Sequence, residues 1–350
     1  MPHKVTLKPS GHGFEVPEGQ TVLRAGLDAG YSMPYSCRTG VCRTCRGTIR
    51  EGTVDYGMVH SNYLPDSDKA KGYALLCQAK PLSDLVVEVR ELEGLAGIRT
   101  RTVPCRVAKI DRPAPDVAVL SLRLPMNENM LFLAGQYVDF LLKDGKRRSY
   151  SIASRPSNEG VTAIELHVRH TPGGLFTDHV FASMKERDLL RFEGPLGTFY
   201  IRADSEKPIV MVASGTGFAP IKAMCEAAFE QGINKSRPLA LYWGCRTRKD
   251  LYHLELPTRW AAEQTNFRFV PVLSDPTAEC GWTGRTGFVH RAVMADLPDM
   301  AGVQVYACGT PVMVEAARTD FSAECALPAG EFFADSFLTE ADRNPAPAAA

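Results

Sequence analysis

The chain has 350 residues, of which 45% are hydrophobic and 23% charged, a composition that is ordinary for globular proteins and a length that predicts two or three domains. Its formal net charge of zero argues against a nucleic-acid partner, because phosphate binding needs a basic surplus. No apolar run approaches the ~20 residues of a membrane span, and the start of the chain lacks signal-peptide features. Ten cysteines in a chain this long do not indicate a disulfide scaffold, so we expect a protein of the reducing cytoplasm without a membrane partner.

The first segment, residues 1–93, has the pattern of a small α+β domain. Residues 5–7 alternate like a strand, and residues 21–27 have the spacing of a helix. Residues 47–54 indicate a hairpin at a sheet edge, and residues 85–89 indicate a closing strand.

Four cysteines in this segment are the most informative residues of the chain. Cys37, Cys42 and Cys45 read C-x4-C-x2-C, and Cys77 follows about thirty residues later. This is the spacing of plant-type 2Fe–2S sites, and Gly40 lies where the backbone must turn tightly. Structural zinc is an alternative, but it usually pairs two C-x2-C units; four unrelated core cysteines are another. We predict that the four cysteines ligate a 2Fe–2S cluster.

The segment resembles the β-grasp of plant-type ferredoxins over its whole length. One departure is Arg43, which follows the second ligand where that family usually has a small residue. With Arg38 and Arg46 it places three guanidinium groups on one loop. These groups could donate hydrogen bonds to the cluster sulfurs and raise the potential, form a cationic docking face, or simply be solvated.

Two further segments follow a predicted linker at residues 94–102. Residues 103–204 contain closely spaced short strands with glycine- and proline-rich turns, which predict an antiparallel β-barrel. Residues 205–338 alternate strands and helices in the pattern of a doubly wound parallel sheet. Residues 339–350 are rich in Ala and Pro and are expected to be disordered. The fold class is therefore multidomain, α+β and α/β.

The barrel segment carries a flavin motif. Arg148-Ser149-Tyr150-Ser151 matches the R-x-Y-S motif of the ferredoxin–NADP reductase superfamily. Tyr150 can lie against an isoalloxazine, Ser151 can bond its N5 edge, and Arg148 can pair with a phosphate. The alternative for each feature is an ordinary turn or an edge tyrosine. The resemblance continues in four further motifs, which occur along the chain in the same order as in that superfamily: residues 134–137, 166–169, 173–177 and 194–197.

The resemblance implies further FAD contacts along the same segment and at the end of the chain. These involve His167, Val168, Arg169, Gly173, Gly174, Leu175, Thr177 and Phe337. Residues 173–177 are expected to turn into a helix whose N-terminal amides hold the pyrophosphate. His167 and His170 are expected to have structural side chains, since reduction of a flavin needs no side-chain base there. Phe337 could equally be a packing residue.

The third segment carries a nucleotide motif. Gly215-Thr216-Gly217 follows the first strand and opens a helix, where glycines let the backbone approach a pyrophosphate. Cys308-Gly309 resembles the superfamily's C-G-x-P-x-M turn, in which the cysteine flanks the nicotinamide. Asp250 favours NADH through a ribose hydroxyl, whereas the nearby Arg246, Arg248 and Lys249 leave NADPH possible.

The order of the three segments resembles three-domain reductases of the ferredoxin–NAD(P)H reductase superfamily. The resemblance implies electron transfer from NADH through FAD and the 2Fe–2S cluster to an acceptor protein, with Ser151 and Cys308 closest to the chemistry. The expected acceptor is a terminal oxygenase. A CDP-glucoseen-type deoxysugar reductase with a dehydrase partner is the alternative, and a redox-sensing or binding protein is a third hypothesis. Since electron flow needs no second subunit, we expect a monomer.

Overall fold

The computed structural model describes residues 2–92, 95, 97–143 and 145–337. The predicted tail at residues 339–350 and part of the predicted linker lie outside these residues. The described residues divide into two compact units, one within residues 2–95 together with 335–337 and one within residues 97–334.

The first unit is built on a five-stranded mixed sheet. Its elements are β1 His3–Lys8, β2 Gly13–Val16, α1 Val22–Asp28, β3 Arg46–Glu51, β4 Val54–Asp55, α2 Asp66–Ala70, β5 Tyr73–Leu75, β6 Lys80–Pro81 and β7 Leu85–Glu88. The strand order is β2-β1-β7-β3-β5, with β1 and β7 parallel. Helix α1 begins where the Thr21 side chain accepts from Arg24 N, and it buries Val22 and Leu23 in the core of this unit.

This sheet confirms the predicted β-grasp, whereas the predicted edge hairpin was wrong. Strand β3 lies inside the sheet between β7 and β5, and β4 pairs with β6 in a separate two-stranded sheet. The pattern of residues 47–54 does not specify which strands pair, because strand pairing depends on contacts distant in the sequence.

The second unit begins with an antiparallel barrel. Its elements are β8 Arg101–Ala114, β9 Val117–Arg123, β10 Tyr137–Leu141, β11 Arg147–Ser151, β12 Ala163–Arg169, α3 Leu175–Ala182 and β13 Leu189–Leu196. The order is β11-β10-β13-β8-β9-β12, and a bridge between Ile152 and Leu166 joins the two edges. The interior is filled by alternate apolar residues such as Val107, Leu120 and Phe192. The barrel confirms the sequence prediction, and β8 already begins at Arg101.

The rest of the second unit is a doubly wound sheet, as predicted. Its elements are β14 Ile209–Ser214, α4 Phe218–Glu230, α5 Ile233–Ser236, β15 Leu239–Cys245, α6 Glu255–Glu263, β16 Phe267–Leu273, β17 Arg285–Thr286, α7 Val289–Asp296, β18 Gln304–Gly309, α8 Pro311–Glu324 and β19 Phe332–Ser336. The last two residues of β19 are already assigned to the first unit. The order is β17-β16-β15-β14-β18-β19, with β14 parallel to both neighbours. The strand order reverses at β14, and the carboxyl ends of strands at such a switch point form a ligand crevice.

Helices cover both faces of this sheet. Residues of α7 and α8 pack with Val210, Val212 and Tyr242 on one face. On the other face, Cys225 of α4 contacts Met211 of β14. Within the described part of the chain, no helix is both long and apolar enough to span a bilayer.

Candidate functional site

The fold brings the four predicted cluster cysteines together. Cys42, Cys45 and Cys77 are buried and Cys37 is half-buried. The thiols interact in two pairs, Cys37 with Cys42 and Cys45 with Cys77. Hydrogen bonding from Cys42 lowers the pKa of Cys37 well below its usual range, and bonding with Cys77 together with burial raises that of Cys45. Two adjacent thiol pairs form the donor set that a two-iron cluster needs, one pair for each iron.

Other groups of the loop also fit a cluster. The Thr39 and Cys42 N–H groups donate to Cys37 Sγ at 3.4 and 3.5 Å. The Thr39 Oγ1 atom is buried, and hydrogen bonding from the Thr39 side chain helps to lower the pKa of the Cys37 thiol. Among the described residues, no group of three or more His, Cys, Asp or Glu side chains could hold one metal ion.

Two of the three loop arginines fasten the loop to the protein. Arg43 has a left-handed backbone, and its guanidinium donates to Tyr63 O at 2.9 Å and Asn62 O at 3.0 Å. The Arg46 guanidinium lies 4.4 Å from the centre of the Tyr73 ring. These contacts were not among the roles expected from the sequence, because the groups that they bind are some twenty residues or more distant in the chain.

The flavin motif lies at the end of β11. Ser151 is 4% exposed, and its Oγ atom has no partner among the described residues. A buried hydroxyl without a partner is rare and fits a ligand atom such as flavin N5. The half-buried Tyr150 ring lies 5.1 Å from Phe176, and burial raises the pKa of its hydroxyl. The neighbouring Ser149 differs, since it donates to Asp139 Oδ1 at 2.6 Å.

The other predicted flavin residues have mixed positions. Val168 is fully buried in the barrel core, half-buried Arg148 donates to Arg147 O at 2.9 Å, and Leu175 is exposed at the first position of α3. Phe337 is half-buried directly after β19. These positions leave the individual roles as predictions.

The turn before α3 is held by its own side chains. Thr177 Oγ1 donates to Thr171 O at 2.8 Å, and Gly173 N donates to Asp178 Oδ2 at 3.1 Å. Gly174 is the residue preceding the helix, and a Cβ on it would lie 2.6 Å from Thr177 Oγ1. The predicted turn into a helix is confirmed, but Asp178 already occupies one amide that we assigned to the pyrophosphate.

His167 and Arg169 point toward the nucleotide segment. His167 is buried; its Nδ1 lies 2.8 Å from the Tyr252 hydroxyl and its Nε2 lies 3.0 Å from Glu165 Oε1. Arg169 lies 3.2 Å from Asp116 and 3.4 Å from Asp250. Its Nη1 is 3.2 Å from where a Cβ on Gly215 would be, so it borders the glycine loop.

The two nucleotide motifs meet at the carboxyl ends of β14 and β18. A Cβ on Gly217 would lie 2.1 Å from Cys308 O, and one on Gly309 would lie 2.0 Å from Ser214 Oγ. Only glycine permits this approach. Thr216 and Cys308 are also buried there. The resulting backbone cradle, at the switch point of the sheet, fits a dinucleotide.

Asp250 serves as a capping residue. Its Oδ2 accepts from the Thr247 N–H at 2.9 Å and from the Thr247 hydroxyl at 3.0 Å, and its Oδ1 faces Arg169. From the sequence we predicted that this carboxylate lies near a ribose. In the structure, Thr247 and Arg169 already bind its two oxygen atoms.

Sequence reasoning missed Glu165 and Lys222. Lys222 Nζ lies 3.2 Å from Glu165 Oε1 and donates to Ala153 O at 3.1 Å. Burial opposes the charge of Glu165, but bonding from His167 and the Lys222 charge outweigh it and lower its pKa to about 2. Lys222 lies in the second turn of α4, the helix that follows the glycine loop. This position is the feature of the sequence that could have marked it as a residue of the site.

Comparison with known families agrees with this geometry. Residues 5–82 match the model of a 2Fe-2S iron-sulfur cluster binding domain, residues 104–201 that of an oxidoreductase FAD-binding domain, and residues 211–319 that of an oxidoreductase NAD-binding domain. The chain is an oxidoreductase of the flavin and iron–sulfur class.

Similarity extends over nearly the whole chain. It is 41% identical to the CDP-6-deoxy-L-threo-D-glycero-4-hexulose-3-dehydrase reductase of Yersinia pseudotuberculosis, covering 97% of this chain and 99% of the relative. It is 34% identical to the terephthalate 1,2-dioxygenase reductase component 2 of a Comamonas species, covering 97% and 98%. The crystal structure of the Amycolatopsis cytochrome P450 reductase GcoB is similar with a TM-score of 0.76 and 34% identity, covering 96% and 98%. The chain belongs to the family of three-domain reductases in the ferredoxin–NAD(P)H reductase superfamily.

Proposed function

We propose that the chain passes electrons from NADH through FAD and a 2Fe–2S cluster to a separate acceptor protein, a terminal oxygenase component. The observation that carries this proposal is the presence of two thiol pairs in the same chain as a flavin barrel with an unpartnered buried Ser151 hydroxyl. A chain with both sites can take electrons in pairs and release them singly, which is the chemistry that bound FAD and a cluster supply.

The chain's own residues bind and orient these groups. Cys37, Cys42, Cys45 and Cys77 are the proposed cluster ligands. Ser151 donates to the flavin edge, Tyr150 covers the ring and Arg148 pairs with a phosphate. Gly215, Thr216, Gly217 and Gly309 form the backbone cradle for the nucleotide, with Cys308 beside it. The protein contributes orientation and exclusion of water rather than acid–base catalysis.

NADH is the proposed donor, although the support from Asp250 is indirect. Its carboxylate pairs with Arg169, and Arg169 borders Gly215 of the glycine loop. A negative charge at this position disfavours the 2′-phosphate of NADPH by charge repulsion. Exposed Arg246, Arg248 and Lys249 act in the opposite direction. Comparison of kcat/KM for NADH and NADPH tests the choice, and a preference for NADPH would contradict it.

A deoxysugar dehydrase is a second candidate acceptor. The observation in its favour is the 41% identity to the Yersinia dehydrase reductase, against 34% to the Comamonas dioxygenase reductase. Purified acceptors of both kinds, supplied with NADH and this protein, would distinguish the candidates by which one is reduced. None of the ten cysteines is in a disulfide bond, which fits our proposal of a protein that works in a reducing cytoplasm. The proposal of a monomer rests on the electron path, which needs no second subunit.

Cys42→Ser tests the electron path. This variant should lose reduction of cytochrome c through the cluster while it keeps reduction of ferricyanide by the flavin. Cys105→Ser is the control, since Cys105 is buried in the barrel and should leave the ratio of the two activities unchanged. If Cys42→Ser keeps both activities, the cluster is not on the path.

A further inference from the structure

A chain of buried contacts runs from the flavin barrel to the glycine loop. It begins at Glu165, whose ionised carboxylate can only accept hydrogen bonds. His167 Nε2, 3.0 Å from Glu165 Oε1, must therefore carry the proton. Burial lowers the pKa of His167, so the ring is neutral and its Nδ1 is an acceptor. The Tyr252 hydroxyl at 2.8 Å consequently donates to it.

The same tyrosine continues into the nucleotide segment. Its ring packs edge-on against Trp243, with centroids 5.4 Å apart and planes at 88°. The Trp243 ring in turn stacks on Phe218 at 4.1 Å, and its Nε1 donates to Gly215 O at 3.0 Å. Trp243 and Phe218 have no exposed surface, and Tyr252 has 8%.

The last contact in this chain fixes the backbone that faces the nucleotide. Gly215 has a positive φ of 52° and begins the loop that opens α4. A carbonyl held by the indole cannot rotate toward the cradle, so the neighbouring N–H groups keep their direction. The hydrogen bond at His167 is thus connected to loop geometry through two rings that cannot move independently in a packed core.

We propose that His167 and Tyr252 are positioning residues that orient the Gly215–Gly217 loop for the nicotinamide dinucleotide. The inference rests on the proposed function and adds roles that the flavin motif did not assign. Neither side chain is required to touch the nucleotide. Loss of their contact should weaken nucleotide binding more than it slows the electron-transfer step.

Tyr252→Phe is the most direct test, with the reaction followed as anaerobic flavin reduction over a range of NADH concentrations. One buried hydrogen bond contributes on the order of 1 kcal/mol, so the Kd for NADH should rise about fivefold while the limiting rate stays within twofold. Tyr242→Phe is the matched control. It removes a hydroxyl that donates to Asp296 at 2.8 Å on the opposite face of the sheet, and it should leave this Kd within twofold.

His167 variants test the other end of the contact. His167→Gln should raise the Kd as Tyr252→Phe does, and the double variant should be no worse than the more affected single variant. His167→Asn keeps an acceptor near the Nδ1 position and should recover part of the loss. If the His167→Gln variant does not retain flavin, Trp243→Phe takes its place in the experiment. This substitution removes the indole N–H that donates to Gly215 O.

Three results would overturn the inference: a Kd in Tyr252→Phe within twofold of that of the unmodified protein, an equal rise in Tyr242→Phe, or additive effects in the double variant. Failure of the proposed function is distinguishable, because the unmodified protein itself would then not be reduced by NADH.

Discussion

Lys222 Nζ lies 3.2 Å from Glu165 Oε1, and this ion pair joins the helix after the glycine loop to strand β12 of the barrel. The two side chains are 12% and 29% exposed. Lys222 also donates to Ala153 O, two residues after the proposed flavin ligand Ser151. One ammonium group therefore connects the flavin strand and the nucleotide helix.

Removal of this ammonium should destabilise the protein. Lys222→Met leaves the Glu165 carboxylate without its cation, a change that typically costs roughly 3 kcal/mol at buried pairs. We expect a lower midpoint of thermal unfolding, measured by the flavin fluorescence that is released on unfolding. Adding Glu165→Gln should restore part of the lost midpoint. Arg155→Met is the control, because its pair with Glu230 is about half exposed on both sides and should contribute little. Equal midpoints for Lys222→Met and Arg155→Met would refute the assignment.

Stability should also fall at mildly acidic pH. Burial lowers the pKa of His253 from 6.5 to about 4, so the unfolded chain binds a proton in this range that the folded chain does not. Because the unfolded chain binds the proton more readily, the free energy of unfolding falls with falling pH. The contribution of neutral His253 is fully present above pH 6.5 and is lost as the pH falls toward 4. The unfolding midpoint of His253→Gln should depend less on pH across this window than that of the unmodified protein. His179→Gln, on an exposed part of α3, should not change the dependence; a parallel decline in both variants would count against the prediction.

The short motifs of the site could be predicted from the sequence, whereas the side chains that contact those motifs from distant parts of the chain could not. The four cysteines, the Ser151 motif and the two glycine turns were recognisable because each requires particular residue types at short, fixed spacing. The contacts of Arg43 with Asn62 and Tyr63, and of Lys222 with Glu165, join residues distant in the chain. No local pattern encodes such pairs, since a lysine or arginine on a helix or loop is usually solvated.

Ser151→Ala should slow reduction of the flavin by NADH. The lost hydroxyl is the buried donor that has no partner among the described residues, and one such bond corresponds to roughly a tenfold change in rate. Ser149→Ala offers a close comparison, because that hydroxyl already donates to Asp139 and should leave the rate within twofold. Rapid-mixing absorbance measures both variants. An unchanged rate in Ser151→Ala would exclude the proposed hydrogen bond.

Thr39→Val should lower the potential of the cluster. Hydrogen bonds to cluster sulfurs favour the reduced state, and the buried Thr39 side chain lies against the Cys37 thiol, whose pKa it lowers by hydrogen bonding. Loss of about 1 kcal/mol corresponds to about 40 mV for a one-electron couple. Thr53→Val makes the same change at an exposed turn. A redox titration followed by electron paramagnetic resonance should show the shift only in Thr39→Val; no shift there would mean that the hydroxyl does not reach the cluster.

Asp250 illustrates why a correct motif does not fix a role. The sequence gives a carboxylate after the second strand of the nucleotide segment, which is where a ribose is expected. The backbone then folds so that Thr247 and Arg169 bind that carboxylate. Such competition between a ligand and local capping groups depends on atomic positions that residue types alone do not specify.

The central claim is that electrons from NADH reach both a flavin and an iron–sulfur cluster in this chain. An anaerobic visible spectrum of the purified protein, recorded before and after substoichiometric NADH, tests it most directly. We predict overlapping flavin and iron–sulfur bands that bleach together. A spectrum with flavin alone would contradict the role of the four cysteines, and a protein that keeps its colour or has none would contradict the whole account.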